Sequence, residues 1–187
     1  MNKTLFEILD EIIDIRFKIS NSGGKIIFDE PQREPNKCTK VEIQTNKKVF
    51  AMSLDSGDKV FNCFNDSIEN ITKKNDGILI YQEKNKFVVL LIELKSLSQG
   101  TYLKQLKAGK NFIEYLIKQI NLFYQISIQE NDLIFRGLLF KLFRNTPSKG
   151  TTKREKLRFN DAEGLLVARL ACNNSYKLQM FREGIAI

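Results

Sequence analysis

The sequence predicts an α/β fold in a single domain spanning residues 1–187. Three observations carry this expectation. A helical apolar period opens the chain, a series of short strand-like runs follows, and a second helical period at 102–121 separates those runs from further strands. With 187 residues and 42% hydrophobic content, the chain can build one core of ordinary size.

The first element is an amphipathic helix. Thr4-Leu5-Phe6-Glu7 forms a capping box, and Leu5, Ile8, Leu9, Ile12, Ile13 and Phe17 recur with helical spacing. Its polar side carries Glu7, Asp10, Glu11 and Asp14, of which Glu7, Glu11 and Asp14 share one stripe. Gly23-Gly24 is expected to end that helix, Lys25-Ile26-Ile27-Phe28 reads as a strand, and the segment with Pro31 and Pro35 reads as a loop. Residues 41–45, 49–54 and 60–64 then read as short strands separated by Asn-Lys and Ser-Gly-Asp turns, which together suggest a small antiparallel meander.

Beyond the central hairpin and the second helix, 133–143 reads as a long buried strand. Residues 145–158 form a basic loop with Lys149, Lys153, Arg154, Lys156 and Arg158, either an ordinary solvated loop or a surface that contacts phosphates. Two strand-like runs, 164–171 and 176–181, suggest a closing hairpin around Asn173-Asn174.

Composition narrows the chemistry. Thirty Lys and Arg against 22 Asp and Glu give a net charge of +8, which favours a polyanionic partner such as nucleic acid. No histidine is present, so Ser-His-Asp and Cys-His nucleophile systems, histidine-dependent nucleases and imidazole zinc sites are excluded. Cys38, Cys63 and Cys172 lie far apart without a C-x-x-C pair, so the sequence suggests neither a disulfide framework nor a zinc site, and a reducing cytoplasm is the expected setting. The longest apolar run, 87–92, is too short to span a bilayer, and no membrane association is expected.

The segment "NDGILIYQEKNKFVVLLIELK", residues 75–95, poses the central question. An antiparallel hairpin turning at Lys84-Asn85 pairs Tyr81 with Val88 and Ile78 with Leu91, and therefore sets Asp76 opposite Glu93. Opposed residues have Cβ atoms roughly 4.5–5.5 Å apart, where like charges destabilise a sheet. Lys95 projects from the same face as Glu93, one step further along. A divalent cation between the acids would remove the repulsion; hard oxygen ligands suit Mg²⁺, which takes one or two protein carboxylates and completes its shell with water and phosphate oxygens. The other reading is an ordinary surface ion pair at a strand end, preceded by a turn at Asp76-Gly77.

On these residues the sequence resembles the PD-(D/E)XK, restriction-endonuclease-like nuclease superfamily, in which an Asp begins the second core strand and a Glu/Asp-x-Lys tripeptide ends the third. The resemblance covers about residues 60–145 and implies a central mixed β-sheet flanked by helices. It implies metal contacts at Asp76, Glu93 and Leu94 for Mg²⁺ or Mn²⁺, with Lys95 assisting the attacking water. Gln105, near the start of the second helix, matches a Gln that faces the site in many members, and Glu11 is the preferred further acid, with Glu7 and Glu69 as alternatives. Two positions depart from the pattern: Asn75 replaces the usual Pro, and Gly109 stands where a Gln-x-x-x-Tyr pattern would place Tyr.

The implied activity is hydrolysis of phosphodiesters, with DNA the expected substrate and RNA the open alternative, in defence against foreign DNA or in repair. Specificity would come from loops, a homodimer or a partner protein. The alternative is a non-catalytic subunit with the same fold that binds nucleic acid or another protein, and metal affinity separates the two.

Overall fold

The computed structural model describes residues 3–29, 38–54, 63–65, 67–68, 71–96, 101–142 and 157–182. Helix α1 (Leu5–Ile12) begins at the expected capping box: the Thr4 hydroxyl accepts the Glu7 N–H, and the Glu7 carboxylate accepts the Thr4 N–H at 2.7 Å. It stops well before Phe17, because Ile13 is extended and the Asp14 carboxylate accepts the Arg16 N–H at 2.9 Å, starting a separate 3-10 turn at Ile15–Phe17. Gly23-Gly24 therefore closes no helix. With φ of +58° and +78°, these residues turn the chain into β1 (Lys25–Asp29).

The remaining elements are β2 (Lys40–Gln44), β3 (Val49–Met52), β4 (Gly77–Glu83), β5 (Lys86–Lys95), α2 (Tyr102–Tyr124), β6 (Leu133–Lys141), β7 (Asn160–Ala162), β8 (Leu165–Ala171) and β9 (Ser175–Lys177). A six-stranded sheet runs in the order β3-β4-β5-β6-β8-β7, and a three-stranded sheet in the order β1-β2-β9. In the larger sheet β5, β6 and β8 are mutually parallel and the other pairings antiparallel, so the sheet is mixed. The α/β class follows, with helices on one face of the larger sheet.

Both faces of the large sheet are covered. Ile78, Ile80, Val89, Leu91 and Leu139 pack with Leu5, Ile8 and Leu9 of α1 and Leu106, Ile113, Ile117 and Ile120 of α2. On the other face, Leu79, Tyr81, Val88, Leu90 and Ile92 meet Ile26, Phe28, Val41 and Ile43 of the small sheet. Burial from two sides is why the centre of β5 is a continuous apolar run rather than an alternating one.

Four strand expectations are corrected. The meander divides between the sheets, β1 pairing with β2 while β3 pairs with β4. Of the strand expected at 60–64, Cys63 and Phe64 lie in a turn, and 60–62 fall outside the described residues. No hairpin forms at Asn173-Asn174: β8 pairs with β6 and β7, and β9 pairs in parallel with β2. The physical reason is that β8 is apolar on both faces, with Leu165 and Val167 toward the helices and Ala168 and Leu170 toward the small sheet, and so belongs inside the larger sheet. Asn173, at φ +57°, turns the chain out of that sheet, and its Oδ1 accepts the Thr39 and Lys40 N–H groups. The expected strand at 176–181 is shortened to β9 and continues as a 3-10 turn, Leu178–Arg182. Strand β7 was not expected; Glu163-Gly164, at φ +52° and +83°, forms the tight turn that joins it to β8.

No helix among the described residues is long and apolar enough to cross a membrane. Cys38 and Cys172, distant in sequence, meet as buried free thiols between the sheets, and burial pushes the Cys172 thiol up from its ordinary range. Cys63 is exposed. A chromogenic thiol reagent is therefore expected to titrate one of the three cysteines rapidly in the native protein and all three after unfolding.

Candidate metal centre

The β4–β5 hairpin has the register read from the sequence, with Tyr81 opposite Val88, Ile78 opposite Leu91 and Gly77 opposite Ile92. One step further, Asp76 stands across from Glu93. The Leu94 N–H donates to Asp76 Oδ2 at 2.5 Å, which ties the first acid to the strand that carries the second. Asp76 alternates in phase with Ile78 and Ile80, and Glu93 with Val89 and Leu91, so both carboxylates belong to the helix side of the sheet.

Glu93 is fully buried, and neither of its oxygens accepts an aligned hydrogen bond from the described residues. The Lys95 Nζ lies 2.6 Å from Glu93 Oε1 but off the hydrogen-bonding direction. Burial, reinforced by the Asp76 charge opposite, pushes the Glu93 carboxyl up to about 8 despite the opposing pull of Lys95.

The other buried acid among the described residues shows what a satisfied carboxylate looks like here. Glu83 accepts from Lys47 at 2.6 Å and from Arg182. Burial alone would raise its pKa, yet these two cations hold it below the ordinary range. Glu93 has the burial with a single close cation, Lys95, in place of two, and its carboxyl is raised rather than lowered.

Gln105 hydrogen-bonds to Lys74 and Thr101 rather than to the carboxylates. Its Nε2 donates to the Lys74 carbonyl at 3.1 Å, and its Oε1 accepts from the Thr101 hydroxyl at 3.4 Å, fixing the start of α2 to the main chain that leads into Asp76. Asn75 completes this support. Its fully buried side chain donates to the Gly77 carbonyl at 2.5 Å and, at 3.5 Å, to the Ile92 carbonyl across the hairpin. A Cβ on Gly109 would lie 2.3 Å from Asn75 Oδ1, so the absence of a side chain on α2 makes room for Asn75.

The first-helix acids are engaged elsewhere. Glu11 pairs with Lys3 at 2.5 Å, and Lys3 also lies over the Tyr124 ring at the far end of α2 from Gln105. Glu7 is held in the capping box. Among the described residues no third Asp, Glu, His or Cys joins Asp76 and Glu93 in a group able to hold a metal ion. Glu69, Lys149, Lys153, Arg154 and Lys156 lie outside the described residues, whereas Arg158 is described and exposed.

The arrangement is an α/β sheet that presents two facing carboxylates and an ammonium group at the end of a hairpin. The buried acid without aligned donors fits a hard divalent cation, since Mg²⁺ and Mn²⁺ are commonly held by one or two carboxylates and oxygen atoms of water or substrate. No family model, no curated protein and no solved structure matches this chain.

Sequence reading missed two features of this end of the fold: the Asn75–Gly109 contact, and the placing of Lys141 and Arg169 near the carboxyl ends of the adjacent strands β6 and β8. The first had a visible signal, because the two departures from the superfamily pattern are its two halves. The two basic residues sit within apolar strands, where only the phase of the alternation sets them apart.

Proposed function

We propose that the protein is a Mg²⁺- or Mn²⁺-dependent nuclease of the PD-(D/E)XK type, built on a restriction-endonuclease-like core and acting on DNA. The observation that carries this reading is a buried Glu93 without aligned donors, set opposite Asp76 and 2.6 Å from Lys95. The element order is compatible with it: α1 is followed by β1 and β2 of the small sheet, then by the antiparallel strands β3, β4 and β5, then by α2 and by β6 parallel to β5, with Asp76 just before β4 and Glu93-Leu94-Lys95 ending β5.

Asp76 and Glu93 would hold the cation, which when bound polarises the scissile phosphate and lowers the pKa of coordinated water. The chain's own groups do the rest. Lys95 lies beside Glu93, and its ammonium group is placed to orient the attacking water and to offset charge developing on the phosphoryl oxygens. The Leu94 N–H keeps Asp76 aimed across the hairpin, while Gln105 and Asn75 hold the backbone around it.

Cleavage of supercoiled plasmid and of a single-stranded oligonucleotide, with Mg²⁺ or Mn²⁺, tests the reading. Wild-type protein is expected to cut at least one of them, and Glu93→Ala and Lys95→Ala are each expected to lose on the order of 10³-fold or more, as when a principal electrostatic group is removed. Metal-independent cleavage, or equal activity in Glu93→Ala, would count against it.

A further inference from the structure

We propose that a nucleic-acid strand crosses the carboxyl ends of β6 and β8 on the helix side of the sheet, its backbone phosphates held by Lys141, Arg169 and Arg158. This substrate track rests on the nuclease reading of the carboxylate pair. Its position follows from register. Lys95 aligns with Lys141, Leu139 with Arg169, and Glu93 with Leu139, so the basic residues continue across the sheet the rows that hold Glu93 and Lys95.

Alternation puts them on the right face. Leu139 and Val167 pack toward the helices, and Lys141 and Arg169 follow in phase with them. Leu157 and Phe159 pack on the other face, which leaves Arg158 on the helix side; extending the β7–β8 register places it beside Arg169. Helix α2 closes this face at Gly137 and Val167, where an added Cβ on Gly137 would meet Leu106 at 2.9 Å. Further toward the carboxyl ends, Arg169 is exposed.

Lys141, Arg169 and Arg158 take part in no ion pair among the described residues, whereas Lys107 and Lys110 of α2 are paired with Glu163 and Glu114. The acid of β7, Asp161, alternates to the opposite face and accepts the Gly164 N–H. At about 4.8 Å between strands, the step from β5 through β6 and β8 to Arg158 spans about 15 Å. At a rise of about 3.4 Å per nucleotide along one strand, that length accommodates about four phosphates. The carboxyl end of parallel strands is also where open α/β sheets bind ligands.

Backbone contacts of this kind give salt-dependent affinity with little sequence preference. The test compares the wild type with Lys141→Gln/Arg169→Gln, and with a control that removes equal charge at the hairpin end, Lys48→Gln/Lys84→Gln. Binding of fluorescent duplex and single-stranded oligonucleotides is followed by anisotropy across a salt series, with Mn²⁺ calorimetry alongside. The track variant is expected to lose tenfold or more in affinity and to flatten the log–log salt slope by about 1.8 on duplex or about 1.4 on single strands, with Mn²⁺ affinity unchanged. An unchanged slope, or an equal loss in the control pair, overturns the track. Failure of the wild type to bind Mn²⁺ is a separate result that overturns the nuclease reading and, with it, the assignment of this row to substrate.

Discussion

Glu93→Gln is expected to stabilise the metal-free protein at about pH 8.5 by roughly 3–5 kcal/mol, an increase produced by removing a proposed catalytic group. Burial, and after it the Asp76 charge, lifts the Glu93 carboxyl from an ordinary 4.5 to about 8. A folded-state pKa above the unfolded one means that the folded protein holds this proton more tightly. The stabilisation is complete below about pH 4.5 and is lost as pH rises through about 8, where a buried carboxylate is left facing Asp76. Glutamine keeps the shape and carries no charge, though losing the attraction to Lys95 offsets part of the gain. Urea unfolding with a chelator, at about pH 5, 7 and 8.5, should show the wild type losing stability relative to the variant as pH rises. Adding Mn²⁺ should reverse the order at high pH, because only the wild type keeps both carboxylates.

Gly109→Ala has the second largest expected effect. The new Cβ would fall 2.3 Å from Asn75 Oδ1 and 2.7 Å from its Cγ, and neither the buried Asn75 nor the helix can yield without loss. Rotating Asn75 breaks its bonds to the Gly77 and Ile92 carbonyls, while shifting α2 opens the packing around Leu106 and Ile113. Overpacking of this kind and loss of a buried hydrogen bond together cost about 2–4 kcal/mol. Cleavage should fall more than tenfold in the fraction that still folds, since Asn75 immediately precedes Asp76. Adding Asn75→Gly should relieve the clash, so a double-mutant cycle is expected to show a coupling of about 1–2 kcal/mol, measured by thermal or urea unfolding. Strict additivity would show that the two residues do not share a contact.

This coupling bears on how the sequence is read. Against the superfamily pattern, Asn75 and Gly109 look like two unrelated departures, whereas in the fold they are one contact between a strand entry and a helix. The hairpin itself was legible, because its strands are apolar on both faces and a two-residue turn leaves a single register that buries them. Helix α2 was legible from its period over many turns.

Strand partnership was not legible. Five residues alternating in burial, as in β1 and β2, reveal that a strand has a buried face but not which sheet that face completes. The fate of β8 and β9 turned on a left-handed Asn173, and α1 ended early on an Asp14 that serves better as a cap than as a helical residue. The acidic stripe of α1 suggested Glu11 for the site, yet helical phase sets only a residue's face, and the local pairing with Lys3 is what the fold supplies. Lys141 and Arg169 were hidden for the complementary reason: they are isolated charges in largely apolar strands, and they become a row only when β6 and β8 lie side by side.

The most direct test of the central claim is calorimetric titration of Mn²⁺ into the wild type and into Glu93→Gln at about pH 8.5, with an oligonucleotide present to supply phosphate oxygens. Saturable binding by the wild type that disappears in the variant is predicted, with proton release on binding when the titration is repeated below about pH 8. Absence of binding by the wild type, or equal binding by both proteins, would contradict a metal centre at Asp76 and Glu93.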